Sequence, residues 1–283
     1  MYNLLISSVI DFFIGDPSNF PHPVRLIGRI INFYEKLVRK LFSNNLKLGG
    51  LFLWIFSILT TVFLTNIIFS ILKPLHPLMS NIFEIYIIYT CIAARCLHKE
   101  AYKIKRSLEN EDIITARKQL SFIVGRDTEN LSSSSVAKGV IETVSENTID
   151  GIIAPIFYII IGIYLNIPAQ MGILYKTINT LDSIVGYNQE PYKKIGFFSA
   201  KIDDIFNFIP ARLGSVIMLI SGGLLGKDIK NGFRIFKRDR YNHKSPNSGH
   251  SESVIAGLLN IQLGGTNYYF GQEVKKPCIG DNI

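Results

Sequence analysis

The sequence predicts an all-α integral membrane protein that crosses the bilayer several times. Of its 283 residues, 48% are hydrophobic and only 18% are charged. Residues 48–72 carry no charge over 25 positions, and a helix rising about 1.5 Å per residue would cross the roughly 30 Å hydrocarbon core with them. Lys and Arg residues concentrate in loops 15–47 and 98–150, as cytoplasmic loops do. We predict about four to five hydrophobic helices, some half-length or re-entrant, joined by helical polar loops in a single domain over residues 1–283.

The composition excludes several other classes of protein. The net charge is +8, but the basic residues flank apolar segments and are not interleaved with aromatic ones, so we expect a lipid bilayer and no nucleic acid as partner. Three cysteines are too few and too poorly spaced for a zinc site or a disulfide framework. Residues 1–14 lack a charged start and a small-residue cleavage site, which predicts a retained anchor and not a signal peptide.

The first apolar segment leads into a polar turn. It contains Asp11, and an acid inside a membrane segment needs a partner or a wet cavity. Helix breakers follow it: Gly15, Pro17, Pro21 and Pro23. The turn presents three polar side chains: Asp16, His22 and Arg25. A polar site is favoured over a plain turn, and residues 27–41 then read as an amphipathic helix on the membrane surface.

A helical hairpin and a charged helix come next. Residues 79–97 form a second candidate span, because Glu84 and Arg95 lie near its two ends, where long side chains reach the interface. The link to the first span, residues 73–78 (KPLHPL), is short and rich in proline. Residues 99–120 read as one solvated or interfacial helix.

An acidic ladder follows at residues 142–150. Glu142, Glu146 and Asp150 recur every four residues, so on a helix they share one quadrant. Like charges this close repel one another unless a metal or basic side chain lies against them. Arg126 and Lys138 are the nearby cations. The alternative is a solvated acidic face at the start of a helix.

The residues just before the ladder allow two interpretations. Asp127 is typical of a helix cap, and the serine run 132–135 is typical of a flexible loop. Arg126 beside Asp127 is equally suited to binding an anionic group.

Two later apolar segments, 151–167 and 213–226, are short for a span. If both cross fully, the polar segment 168–212 between them faces the opposite side from the other polar loops. If they are half-length or re-entrant, the polar loops converge on one site, since irregular backbone is tolerated where it lines a cavity. We favour convergence, because 168–212 carries its own acidic cluster.

That cluster is KIDDIFNFIPAR. Asp203, Asp204 and Asn207 share a helical face, Pro210 is expected to end the turn, and Arg212 follows. Adjacent aspartates suit Mg²⁺, which takes one or two carboxylates and leaves room for substrate phosphate. Such pairs also occur at ordinary helix starts, but Asn179 and Asp182 lie nearby in sequence and favour a metal or phosphate site.

Near the end of the chain, Arg240 and His243 precede the turn SPNSG, which opens an apolar helix. Basic residues beside such a turn resemble an anion-binding helix N-terminus. The alternative is a basic patch that meets only lipid phosphate. The chain has no Walker-type glycine loop, which excludes a P-loop nucleotide site.

Four groups of motifs, in order along nearly the whole chain, resemble the CobD/CbiB family, the adenosylcobinamide-phosphate synthases of the cobalamin pathway. They are DFFIGDPSNFPHPVRLIG; GRDTENL with IETVSENTIDGIIAP; YKTINTLDSIVGY with KIDDIFNFIPAR; and RDRYNHKSPNSGHSESVIAGLLNIQLGG. Two features depart from the family pattern. Lys138-Gly139 stands where the family more often has Arg and a small residue, and members usually continue past YFGQEVKKPCIGD into another apolar helix, whereas this chain stops at Ile283.

The resemblance implies a multi-pass cell-membrane enzyme that uses ATP and Mg²⁺. It would join a carboxylate of adenosylcobyric acid, a corrinoid, to (R)-1-aminopropan-2-ol or its phosphate through an amide bond, in possible association with other enzymes of the pathway. A carboxylate is a poor electrophile, so it must first be activated, most simply as an acyl phosphate. Phosphoryl transfer depends on metal ions and basic side chains more than on covalent help from the protein.

The resemblance also suggests roles for individual residues. The expected catalytic residues are Glu142, Glu146 and Asp150, with His22 or His243 as proton acceptor. The expected metal ligands are Asp203, Asp204 and Glu146. The expected substrate-binding residues are Asp16, Arg25, Arg126, Asp127, Lys138, Asn147, Asn179, Asp182, Asn207, Arg212, Arg240, Ser245 and Asn247.

Two other functions fit parts of the sequence. DDxxN on a membrane helix would also suit a transferase that uses an isoprenoid diphosphate. A non-enzymatic regulatory membrane protein, distantly related to the family, is the other alternative. In such a protein we would expect the acidic and SPNSG motifs to have lost their characteristic residues. Here both motifs are intact, which favours an enzyme.

Overall fold

The computed structural model describes residues 1–17 and 21–282. Residues 18–20, part of the predicted proline turn, lie outside this description. The elements in chain order are α1 Tyr2–Ile14, α2 Pro23–Leu41, α3 Leu46–Leu75, α4 Pro77–Cys91, α5 Ala94–Glu109, α6 Ile113–Ser121, α7 Ser133–Thr148, α8 Ala154–Tyr164, α9 Pro168–Val185, α10 Phe197–Phe206, α11 Phe208–Leu224, α12 Ile229–Asp239, α13 Ser248–Leu259, β1 Leu263–Tyr269 and β2 Gln272–Ile279. The predicted all-α class is confirmed, with one short β-hairpin added to it.

Several helices are long and apolar enough to cross a membrane. Three segments meet this description: Leu46–Leu75, Pro77–Glu109 and Ser133–Tyr164. The pair α10 and α11, interrupted at Asn207, is a fourth if the two form one span, and α1 is a shorter apolar helix. The chain is therefore a polytopic membrane protein, as the hydropathy pattern predicts.

The chain divides into two compact units, each made from two stretches of sequence. Unit 1 comprises Met1–Arg95 and Gly151–Phe206, and unit 2 comprises Cys96–Asp150 and Asn207–Ile283. The single domain expected from sequence stays a prediction.

In unit 1, α3 packs against α2 and α9 around a buried apolar core. The packing is close, since a Cβ at Gly50 of α3 would lie 2.0 Å from the carbonyl oxygen of Ile195. The sequence predicts that Asp11, an acid in a membrane segment, needs a partner or a wet cavity. In the structure its partner is the start of α5. Its Oδ2 accepts hydrogen bonds from the backbone N–H groups of Ala94 (2.9 Å) and Arg95 (3.4 Å), where an acid also complements the helix dipole.

Three boundaries differ from those predicted. The helix α3 continues into the predicted link 73–78 as far as Leu75, and only His76 separates it from α4, which begins at Pro77. The predicted helix 99–120 is broken at residues 110–112, because Asp112 accepts a hydrogen bond from the N–H of Thr115 and starts α6. Pro210 does not end a turn but lies in the first turn of α11, where a missing N–H costs nothing.

The serine run and the acidic ladder belong to one helical segment. Ser132 caps α7 by accepting a hydrogen bond from the N–H of Ser135 (3.2 Å), so the predicted flexible loop is wrong. Glu142 and Glu146 lie on α7, as predicted, whereas Asp150 lies in a π-helical turn, Ile149–Ile153, that leads into α8. The apolar stretch after the ladder is thus the second half of a 32-residue helical segment and not a separate short one.

In unit 2, α13 packs against α7, α11 and α12. Its contact with α12 is close, because a Cβ at Gly257 would lie 2.7 Å from the carbonyl oxygen of Asn231. The antiparallel hairpin of β1 and β2 was not predicted. It is fastened at its end by buried Asp239, whose Oδ2 accepts from the N–H of Gly280 (2.8 Å), while both oxygens accept from Arg238.

Candidate active site

Unit 2 contains a group of charged side chains beside α7, α13 and the hairpin. We call it the buried charge cluster. Its members are Arg126, Glu142, Glu146, His243, Glu252 and Lys276. Charged groups leave water only at a high free-energy cost unless they are paired, so a concentration of this kind needs an explanation.

Arg126 is the cation that the acidic ladder requires. Its guanidinium donates to the carboxylate of Glu142 and to the side-chain oxygen of Asn267 in β1. The side chains of both ion-pair partners are only 8% exposed. The other oxygen of Glu142 accepts from the backbone N–H of Gly264 (2.8 Å). Glu142, predicted as a catalytic residue, therefore joins α7 to the hairpin and anchors Arg126.

Asp127 also holds the hairpin and does not cap a helix. Its Oδ2 accepts from the N–H of Gly271 (2.8 Å), and its own N–H donates to the carbonyl of Tyr268. The cap interpretation of Asp127 is therefore wrong. The residue positions the loop that carries Arg126.

Glu146 meets the first turn of α13. Its Oε1 accepts a hydrogen bond from the hydroxyl of Ser248 (2.7 Å), the first residue of α13. Among the residues that the structure describes, this is the one hydrogen bond of the Glu146 side chain. The second carboxylate oxygen is thus available to a substrate or a cation.

His243 and Glu252 are the next pair in the cluster. The Nδ1 of His243 accepts from the N–H of Ser245 (3.0 Å), so in the neutral ring the proton resides on Nε2. That Nε2 lies 3.9 Å from the Oε1 of Glu252, and both side chains are nearly buried. The neutral ring thus directs its N–H toward the carboxyl of Glu252.

Burial and neighbouring charges determine the protonation of these groups. Burial, together with the charges of Glu146 and Glu142, raises the pKa of Glu252 well above 4.5, and the opposing effect of Lys276 is smaller. Burial lowers the pKa of His243, which favours the neutral ring.

The pKa of Lys276 is raised, although the side chain is largely buried. Burial alone would lower its pKa, but Tyr269, Glu252 and Glu146 outweigh burial and raise it. The cluster therefore contains two fixed cations, Arg126 and Lys276, beside a carboxyl group that retains its proton more strongly than an ordinary glutamate.

A second group of residues, the arginine site, lies at the N-terminus of α13. The guanidinium of Arg212 lies 3.4 Å from the ring centre of Phe208 and donates to the side-chain oxygen of Asn247 (3.4 Å). Arg240 lies over Tyr241, with 4.6 Å between guanidinium and ring centre. Among the described residues, neither guanidinium forms a salt bridge with a carboxylate. The arginine site thus combines two such cations with a helix N-terminus, a combination that suits an anion.

His250 supports this interpretation. It is 2% exposed and its Nδ1 has no hydrogen-bond partner among the described residues. Burial and the charges of Arg212 and Arg240 lower its pKa to about 4, so the ring is neutral at pH 7. Ser245, also predicted as a substrate ligand, instead accepts from the N–H of Asn247 (3.2 Å) and shapes the turn.

The remaining predicted residues of unit 2 lie on α7, in the π-helical turn and at the start of α11. The side-chain amide of Asn147 donates to the carbonyl of Thr143. Asn207 is 2% exposed and precedes α11. Lys138 lies on α7 one turn before Glu142, and Asp150 lies in the π-helical turn.

The other predicted site residues belong to unit 1. His22 accepts from the N–H of Val24 and lies 3.2 Å from Asp16, so it caps α2. Arg25 is exposed on α2. Asn179 and Asp182 lie on α9, and Asp203 and Asp204 lie on α10. Convergence of these residues with those of unit 2 on one site stays a prediction.

A magnesium ion is compatible with these carboxylates. No group of three or more His, Cys, Asp or Glu side chains able to hold a metal occurs in residues 1–17 and 21–282. Mg²⁺ needs only one or two protein carboxylates when substrate phosphates complete its shell. The available oxygen of Glu146 and the adjacent Asp203 and Asp204, the latter 3.7 Å from the Nζ of Lys201, meet that requirement.

Sequence reasoning missed three residues of the two groups, Glu252, Lys276 and His250. It also missed Asn267, the partner of Arg126 in β1. The one available signal was Glu252, an acid within the apolar helix that SPNSG opens. Lys276 and Asn267 lie on the unpredicted hairpin, so their neighbours could not be inferred.

The raised pKa of Glu252 predicts an unusual dependence of stability on pH. Above pH 4.5 the unfolded chain releases a proton that folded Glu252 retains. The free energy of unfolding should therefore fall as pH rises from 4.5 to the raised folded pKa. Glu252→Gln cannot ionise and should remove this decline, as measured by denaturant unfolding in mixed micelles between about pH 5 and 8.

The matched control is Glu129→Gln, which removes an exposed carboxylate from the loop after Arg126. It should retain the wild-type slope. Parallel pH dependence of wild type and Glu252→Gln would contradict the assignment of the raised pKa.

Comparison with known proteins identifies the family. The model of the family described as CobD/Cbib protein matches residues 4–283. The cobalamin biosynthesis protein CobD of Clostridium perfringens (strain 13 / Type A) is 50% identical over 281 residues, which cover 99% of this chain and 88% of that protein. The cobalamin biosynthesis protein CbiB of Salmonella paratyphi B is 44% identical over 278 residues, covering 98% and 86%. No solved structure matches the chain. Because the matches extend over nearly the whole sequence, the chain belongs to the CobD/CbiB family.

Proposed function

We propose that this protein is a multi-pass cell-membrane enzyme of cobalamin biosynthesis. It joins a carboxylate of adenosylcobyric acid to (R)-1-aminopropan-2-ol or its phosphate, in an ATP-dependent reaction that forms an amide. Family membership and the names of the relatives support the pathway. The buried charge cluster is the main support for the chemical step. It combines the available oxygen of Glu146, the cations Arg126 and Lys276, and the carboxyl group of Glu252 with its raised pKa.

The first half of the reaction activates the acid. Transfer of the terminal phosphoryl group of ATP to the substrate carboxylate gives an acyl phosphate and ADP, and the negative charge on the phosphoryl oxygens must be balanced. Arg126 and Lys276 are already held in place, so they balance that charge without being reordered during the step. Mg²⁺ would supply further charge neutralisation. In unit 2 Glu146 would hold it, and Asp203 and Asp204 are the candidate ligands of unit 1.

The second half forms the amide. The amine arrives as an ammonium ion and must lose a proton before its nitrogen attacks the carbonyl carbon and inorganic phosphate leaves. A carboxylate with a raised pKa is a stronger base than an ordinary glutamate, so ionised Glu252 suits proton uptake from the ammonium. We therefore assign proton acceptance to ionised Glu252. His243, predicted as an acceptor, instead has its Nδ1 occupied by the N–H of Ser245 and its protonated Nε2 directed toward Glu252. His22 is less suited, because both of its ring nitrogens are occupied by Asp16 and the start of α2.

The arginine site supplies a place for a phosphate group. A phosphate there would face two guanidinium groups and the N-terminus of α13. This supports a phosphorylated substrate, either ATP or aminopropanol phosphate. The family assignment favours the amide synthase over the isoprenoid diphosphate transferase and over the regulatory protein.

The central residues are tested by assaying membranes that contain the protein. Adenosylcobyric acid, aminopropanol phosphate, ATP and Mg²⁺ are supplied, and the amide product is measured. Glu146→Gln and Asp204→Asn should each lower the rate at least about 100-fold, because each removes a charge that the chemical step uses. Membrane insertion of both variants should be unchanged.

Glu129→Gln is the matched control and should retain the wild-type rate. A near wild-type rate for Glu146→Gln or Asp204→Asn would remove that residue from the proposal. Absence of amide product with the wild-type protein would remove the reaction itself.

The arginine site has its own prediction. Arg240→Gln should raise the KM for the phosphorylated substrate about tenfold or more with a smaller change in kcat, because a charged hydrogen bond to phosphate is lost. Lys237→Gln removes an exposed positive charge three residues away and should leave KM unchanged. Equal effects of the two variants on KM would show a diffuse basic surface and contradict a defined site.

A further inference from the structure

Unit 1 contains an apolar slot between α2, α3, α4 and α9. Its volume is about 240 Å³. The floor is formed by Ile27, Ile87 and Ile173, each less than 5% exposed. The rim is formed by Leu26, Leu64 and Ile68, which are 37–50% exposed. The slot is therefore deep on one side and open on the other.

The polar side chains that line the slot already have partners. Thr61 donates to the carbonyl of Ser57, and Thr65 donates to the carbonyl of Thr61. The hydroxyl of Tyr86 donates to the carbonyl of Pro21 (2.6 Å). His22 is held by Asp16 and Val24. A polar ligand would find few hydrogen-bonding groups in the slot, so its lining suits hydrocarbon.

The bilayer supplies that hydrocarbon. The helix α3 and the segment that begins with α4 are candidate membrane spans, so the open rim of the slot faces acyl chains. An apolar cavity of roughly 150 Å³ in a protein stays free of water and takes up apolar molecules. The slot is larger than that, which favours one inserted chain over an empty or hydrated space.

Charges beside the slot indicate which lipid it holds. Leu26 and Ile30 line the slot from α2, and Arg25 and Arg29 lie next to them, exposed and one turn apart. Basic side chains at a membrane surface attract anionic headgroups. We propose that the slot binds one anionic phospholipid, with an acyl chain between α2, α3, α4 and α9 and its headgroup phosphate at Arg29 and Arg25.

The acyl-chain contact is tested on the purified full chain by native mass spectrometry in a mild detergent. The probe is 1-palmitoyl-2-oleoyl phosphatidylglycerol. The wild-type protein should retain one lipid per chain after the bulk lipid is removed. Thr65→Phe, which fills the slot, and Ile68→Trp, which blocks its rim, should both lose that lipid.

Leu59→Phe is the matched control, because Leu59 is 60% exposed on α3 and does not line the slot. It should retain the lipid. The proposal is overturned if correctly folded Ile68→Trp retains the lipid as the wild type does. It is equally overturned if the slot is found to be covered by a second copy of the chain.

The headgroup contact is tested with a second pair of variants and a second lipid. Arg29→Gln should weaken retention of phosphatidylglycerol about fivefold and leave retention of phosphatidylcholine unchanged. Lys36→Gln removes an equal charge from an exposed position farther along α2 and should change neither. Equal retention of the two lipids by the wild type would contradict the anionic headgroup. Because none of these measurements involves amide formation, their outcome is independent of the proposed enzyme activity.

Discussion

The ion pair of Arg126 and Glu142 is the interaction on which the candidate site depends. It fixes Arg126 beside α7, and through Gly264 and Asn267 it holds the hairpin that carries Lys276. Removing one partner of a buried ion pair costs about 3–5 kcal/mol, yet replacing both partners by apolar residues is often neutral or stabilising. Stability alone therefore does not explain why this site is charged. The reaction proposed above would require charge at this position.

The rest of the cluster follows from the same constraint. Once Arg126 is committed to Glu142, Glu146 and Lys276 remain near a third acid, Glu252. Burial together with the charges of Glu146 and Glu142 disfavours the carboxylate form of Glu252 and raises its pKa well above that of an ordinary glutamate. Perturbed groups of this kind are common at catalytic sites because general acids and bases work best near the ambient pH. The helix α13 contributes to both sites, with Glu252 in the charge cluster and His250 in the arginine site.

Sequence alone predicted much of the fold because its signals are local. The uncharged run 48–72 predicts α3 to within three residues of each end, and the regular spacing of Glu142 and Glu146 places both on α7. The hairpin was missed because Gly264 and Gly265, the second and third residues of β1, adopt positive φ, and Pro277 interrupts the pattern of β2. Contacts such as that of Glu146 with Ser248, 102 residues apart, follow from packing that no local pattern encodes. For the same reason, the sequence identified Arg126 as a nearby cation but could not show which acid it meets.

The most direct test of this account replaces the central ion pair by apolar residues of similar size. In the double variant Arg126→Met with Glu142→Leu, the account predicts a cooperatively folded protein that is at least as stable to denaturant as Arg126→Met alone. The same double variant should form no adenosylcobinamide product. Retention of wild-type amide formation by the double variant would contradict the claim that the buried charges serve the chemistry.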